Sequence, residues 1–337
     1  MVLIICLLSL FLSCPEVIPA GGDEFPYPVE KIYDTDEYSA FTDLIRFNNS
    51  FYCSFRVGSD HAGGKNGKVR IIRSVDGQTW ENVVLLEKEG IDLRDPKLSV
   101  TPDNKLMVIM GGSVYENRKL LARKPHVSFS DQSGLNFSDP QRVKFAYGAG
   151  SEFSWLWRVT WNGNVGYTID YQIDDEKEWK ILLMKTTDGM TFENVVQLEV
   201  DGKPNEATVR FDKKDNIRVL IRREGGDKTG VLASSQYPYE KWSYEKLDFR
   251  LGGPNFIFAG NDKLVIGTRK YQDKVQTHLL VTNLTGDIKK EINLPIGGDT
   301  SYLGMIIHKN KLCVSYYSSH EGNSSIYFTR IPLRDLK

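Results

Sequence analysis

Cysteine, histidine and long apolar runs are all scarce in this chain, and each scarcity removes a class of protein. Of four cysteines in 337 residues, two fall within the first fourteen, leaving only Cys53 and Cys313. That is too few for a disulfide-stapled scaffold. The five histidines are scattered, and neither remaining cysteine has a partner at ligand spacing, so no metal constellation is legible and no cofactor is expected. Charge is balanced, 43 basic against 44 acidic residues, with no basic stripe interleaved with aromatics. This argues against nucleic acid as a partner. Helical periodicity longer than a turn or two is missing as well, which excludes a two-domain α/β enzyme.

The only sustained apolar run is Met1 to Cys14, too short to span a bilayer and shaped like the hydrophobic core of a secretory signal. Leu12-Ser13-Cys14 resembles a bacterial lipobox, which would make Cys14 a lipidated first residue and attach the protein to a membrane. No Lys or Arg precedes the run, so plain secretion stays open beside a periplasmic or cell-surface lipoprotein. Residues 15 to 27 read as a tether, and 28 to 337 as one domain, expected to be a monomer. Cys53 and Cys313 lie in apolar strands and read as buried free thiols, with a single disulfide between first and last units as the alternative.

What the chain has in abundance is repetition. Arg73-Ser-Val-Asp-Gly-Gln-Thr-Trp80 joins a strand to a turn in which Asp76 can hold turn N–H groups and Gly77 can adopt positive φ. Lys185-Thr-Thr-Asp-Gly-Met-Thr-Phe192 is a second copy, and Ser128 to Phe137 a degraded third. Strand ends aligned on these turns fall at Ser74, Ser130, Thr186, Ser234, Thr282 and Thr329, spaced by subtraction at 56, 56, 48, 48 and 47 residues. Six units of about 50 residues, each a few short strands, predict an all-β, six-bladed β-propeller with about four antiparallel strands per blade. The last unit lacks an outer strand, so residues 28 to 36 are expected to supply it and close the ring.

Inner strands are expected at 41–47, 94–100, 155–161, 205–211, 253–259 and 301–307. Aligned on their turns, they bring Thr42, Asp95, Glu206 and Tyr302 to one level, give or take a residue. The second strands bring Arg56, Gly111, Asp170, Arg223, Arg269 and Tyr317 to another, at the same mouth of the ring. A purely structural lining would favour Val, Ile or small residues, because buried charge is costly unless paired. The cluster therefore reads as an anionic-ligand pocket with its counter-charges; the alternative is that Arg56, Arg223 and Arg269 only neutralise Asp95, Asp170 and Glu206. Trp155, Trp157 and Trp161 serve either as sugar-stacking platforms or as packing between units.

The Asp-Gly turns, the six-unit period and this pocket composition resemble the sialidase-like propellers, the Asp-box glycoside hydrolases. Matching that family's order are Glu206, Arg223 (or Arg222), Arg269, Tyr302 and Glu321. The resemblance implies Tyr302 as nucleophile, Glu206 as its base, and an acid/base in the loop Gly58 to Gly64, with Asp60 the candidate and His61 its rival. A phenol attacks well only with a base in contact and cations nearby. Where the family begins unit one with Phe/Tyr-Arg-Ile-Pro, this chain has Ala40-Phe-Thr-Asp-Leu44, so the first clamp arginine is missing. Arg94-Asp95-Pro96 is similar to a motif of other sugar-cleaving propellers. The reading is a sialidase-like exo-glycosidase acting on a terminal, acidic sugar of a glycan, with retention. Against it stand a non-catalytic carbohydrate-binding propeller and a two-carboxylate glycosidase using Asp95 and Glu206.

Overall fold

The computed structural model describes residues 25–62, 67–173, 178–272 and 275–337. The leader and most of the expected tether lie outside them. The described chain is built on six antiparallel sheets, each a blade of a β-propeller. Blade one holds Tyr38–Phe47, Ser50–Gly58, Lys68–Ser74 and Glu81–Leu86, counted from the axis outward. Blade two begins with Asp92–Val100 and Leu106–Glu116, blade four with Pro204–Phe211 and Ile217–Arg223. In blade five the inner strand is only Asn255–Phe258, since Gly253 sits at φ 60° and Pro254 has no N–H to give a ladder. Blade three departs further: its inner strand is broken into Trp155–Leu156 and Thr160–Asn162.

Blade six is completed from the other end of the chain. Val29–Tyr33 pairs antiparallel with Ser325–Pro332, Val29 opposite Thr329. Arg330 pairs with Glu30 at 2.7 Å and Lys31 with Glu321 at 2.7 Å across this closure. Phe25 and Tyr27, expected in the tether, pack on the blade-six core, and Tyr27 Oη donates to Asp335 at 3.0 Å.

The repeated turns work as their residues suggest. Asp76 Oδ1 accepts from the N–H groups of Gln78 (2.8 Å) and Thr79 (3.0 Å), while Ser74 Oγ accepts from Gly77. Asp188 and Thr186 repeat the pattern toward Met190, Thr191 and Gly189. Each turn also fastens its blade to the preceding one. Trp80 stacks edge-on against Phe328 of blade six, and a Cβ on Gly189 would meet Met107 and Phe129 of blade two.

Near the axis, apolar packing gives way to charge. Asp43 of blade one and Arg158 of blade three, both buried, form a two-armed ion pair at 2.6 and 2.8 Å, and Asp43 also accepts from Leu98 N–H. Just above this pair, inner strands bulge at one level. The register slips by one residue between Ala40 and Asp43, Arg94 and Lys97, Pro204 and Ala207, and Ser301 and Gly304. A bulge re-aims side chains that a regular pleat would direct between blades. Phe41, Asp95 and Tyr302 all adopt left-handed φ (63°, 47° and 50°), a conformation costing a non-glycine residue about 1–2 kcal/mol.

Candidate active site

The bulges converge on the phenol of Tyr302. Its hydroxyl donates to Glu206 Oε1 at 2.7 Å, from blade six to blade four. Glu206 Oε2 in turn accepts from Gly253 N–H at 3.1 Å and pairs with Arg222 at 2.8 Å. Gly253 is required here: a Cβ would lie 2.8 Å from the Tyr302 ring, at a φ that favours glycine. The remaining faces of that ring meet Phe41 at 5.0 Å, Trp157 at 6.2 Å and the Arg269 guanidinium at 5.9 Å.

These neighbours set the protonation states. Burial pushes the Tyr302 phenol well above its usual value and adjacent Glu206 adds to this, opposed by Arg222 and Arg269. Burial would raise the Glu206 carboxyl too, but Arg222, the Tyr302 hydroxyl and Arg269 outweigh it and hold the group below its ordinary value. The resting pair is a neutral phenol donating to a carboxylate. Asp95, also at the mouth, is pushed up by burial despite Arg94 and Lys97, and its Oδ1 has no hydrogen-bond partner among the described residues.

A second knot ties blades one, five and six together. Asp299, just before the blade-six inner strand, accepts from Tyr38 Oη, from Tyr317 Oη at 3.0 Å and from Arg269 at 3.3 Å, and pairs with His61 Nδ1 at 2.6 Å. Burial opposes ionisation of Asp299, but these partners bring its carboxyl to about 2. His61 is thereby fixed at the rim with its ring edge-on to Phe41 at 5.0 Å. Asp60, its neighbour, is exposed: its carboxylate accepts from Ser59 Oγ, and its carbonyl accepts from Arg56.

Several expected pocket residues are placed elsewhere. Arg222, not Arg223, reaches Glu206, because Arg223 pairs with Pro204 and Ile221 with Ala207, leaving Arg222 opposite the two bulged residues. Arg223 turns outward to Asp201 at 3.0 Å and Asp227 at 2.8 Å. Arg56 is fully buried in an ion pair with Asp92 at 2.8 Å and carries the neutralising role rather than a ligand-facing one. Asp170 is spent on Trp155 N–H, Ser154 and Gln172. Glu321 is occupied with Lys31 in the ring closure. At the bulge level of blade one, Phe41 takes the place expected of Thr42, whose hydroxyl donates to the Tyr302 carbonyl at 2.7 Å. Trp155 and Trp157 are buried and Trp161 bonds Ser99 of blade two, so all three pack between blades. Cys53 and Cys313 are free.

Tyr302, Glu206, Asp95, Arg269, Tyr317 and His61 are brought together as expected of one mouth. Arg94 was legible only as part of the Arg94-Asp95-Pro96 motif, and Lys97 and Asp299 were not anticipated. A signal for Lys97 exists, a lysine within a strand expected to line the axis; for Asp299 none does, since a Gly-Gly-Asp loop is ordinary turn chemistry.

With this geometry in view, comparison with solved structures is informative about fold. A protein of unknown function from Dyadobacter fermentans superposes with a TM-score of 0.78 at 18% identity, over 90% of this chain and 98% of that one. The NanB sialidase of Streptococcus pneumoniae gives 0.71 at 11% identity, over 95% and 72%. A Trypanosoma rangeli sialidase in complex with the inhibitor DANA gives 0.68 at 12%, over 89% of this chain and 56% of that one, so the chain spans little more than half of that enzyme. No family model and no curated protein matches. The chain has the six-bladed fold of the sialidases.

Proposed function

We propose that this protein is a retaining exo-glycosidase that removes a terminal acidic sugar. The observation that carries the reading is the 2.7 Å contact between Tyr302 Oη and ionised Glu206, bracketed by Arg222 and Arg269. In the first step Tyr302 Oη attacks the anomeric carbon while its proton passes to Glu206. The bond to the departing oxygen breaks, and that oxygen takes a proton from His61. In the second step water attacks the glycosyl-tyrosine, gives its proton to His61, and Tyr302 recovers its own from Glu206. His61 suits the acid/base role better than Asp60 because the Asp299 contact orients its ring. Arginines on a sugar carboxylate would supply the selection for an acidic substrate.

Burial favours a second reading, the non-catalytic binding propeller: Tyr302, Glu206 and Asp95 are each only 8% exposed. Hydrolysis of fluorogenic glycosides, sialic acid and other acidic sugars beside neutral ones, separates the two. Release of one sugar, abolished in Tyr302→Phe, supports the glycosidase; stabilisation by free sugar without release supports the binding protein. Slower but persistent turnover in Tyr302→Phe would instead favour Asp95 and Glu206 as a two-carboxylate pair.

A further inference from the structure

Lys97 is a buried cation at this mouth that makes no direct ion pair among the described residues. It lies directly after the blade-two bulge, 4% exposed. Its ammonium stands 4.7 Å from the centroid of Trp157 and 5.6 Å from that of Tyr302. Its hydrogen bond is a long one, 3.4 Å to the Pro96 carbonyl, and among the described residues it makes no direct ion pair. Asp43, the carboxylate that faces it from blade one, is already held by both arms of Arg158. Asp95, two residues back on its own strand, is the carboxylate that acts on it most strongly, with Asp43 and then Glu206 from blade four adding to this and Arg158 opposing, yet none of the three makes a direct ion pair with it. A buried ammonium left to aromatic faces is costly unless a negative charge forms beside it.

We propose that Lys97 is a positioning residue for the nucleophile: from the face of the Tyr302 ring it stabilises the phenolate that forms as Glu206 takes the proton. An ammonium is attracted to an aromatic face by the ring's negative charge. That charge grows when the phenol ionises, so the contact is stronger in the transition state than at rest, which is the condition for acceleration. The inference rests on the reading of Tyr302 as nucleophile. It also gives the mouth a cation from blade two where blade one lacks its arginine.

The test uses the full chain and whichever fluorogenic glycoside it cleaves. Lys97→Met, which keeps length and apolar packing, is expected to lower kcat about a hundredfold with KM little changed, and Lys97→Arg to restore part of the rate. Burial brings the Lys97 ammonium down to about 8, so with a glycoside whose leaving group departs without a proton from His61 the wild-type rate should fall as pH rises through that value while the lysine loses its charge. In Lys97→Arg that alkaline limb should move upward, because a guanidinium keeps its proton. A Lys97→Met enzyme with wild-type kcat, or an alkaline limb unmoved in Lys97→Arg, overturns the inference and leaves the glycosidase standing. Failure of wild type to cleave any glycoside overturns both together. To exclude misfolding, wild-type chain with lysine isotope-labelled at Cε should show a resonance, absent in Lys97→Arg, whose titration midpoint shifts in Tyr302→Phe. An unshifted midpoint also counts against the inference.

Discussion

Two adjacent arginines show how finely the site depends on single positions. Arg222 and Arg223 differ by one step along a strand, and alternation sends one to Glu206 and the other to surface carboxylates. Arg222→Met should therefore cut turnover by an order of magnitude or more, removing a charge-assisted contact of roughly 1.5–3 kcal/mol, while Arg223→Met leaves turnover near wild type. Steady-state kinetics on the two variants decides it, and equal losses would contradict the register. Sequence reasoning could bring both arginines to the right end of the right strand but not choose between them. The choice depends on the bulge at Asn205 and Glu206, where two residues oppose one.

At the scale of elements, the inner strands act as a set of aimed brackets. Blade number and blade order were legible from the 47 to 56 residue spacing, because closure of a ring demands near-equal units, whereas the break in the inner strand of blade three was not. The bulges were not, since left-handed φ at Phe41, Asp95 and Tyr302 breaks the rule that large side chains avoid this region. Nor was the Asp43 and Arg158 pair, a contact across 115 residues with no local signature. Removing one partner strands the other charge near the axis. Arg158→Met is expected to cost about 3–5 kcal/mol, read as a lower denaturant midpoint. The double variant Asp43→Leu with Arg158→Met should regain much of that loss, and failure to do so would mean the pair contributes more than mutual neutralisation.

For the whole molecule, stability hangs on closure of the ring. The free thiols make no cross-link between first and last blades, so joining is left to the ladder between Val29–Tyr33 and Ser325–Pro332 and the contacts around it. A chain beginning at residue 35 should expose the edge of the third strand of blade six, melt well below the full chain and self-associate, as calorimetry and size-exclusion would show. Adding reductant to the full chain should leave its melting temperature unchanged.

The closing strand also fixes an orientation. Inner strands begin at the mouth, so the third strand of blade six runs away from it, and Val29–Tyr33, antiparallel to that strand, runs toward it. The chain thus enters under the ring, and Lys337 ends on the same underside. A label, a solid support or a fused protein joined at either place hangs beneath the disc and leaves the opening overhead clear for incoming molecules.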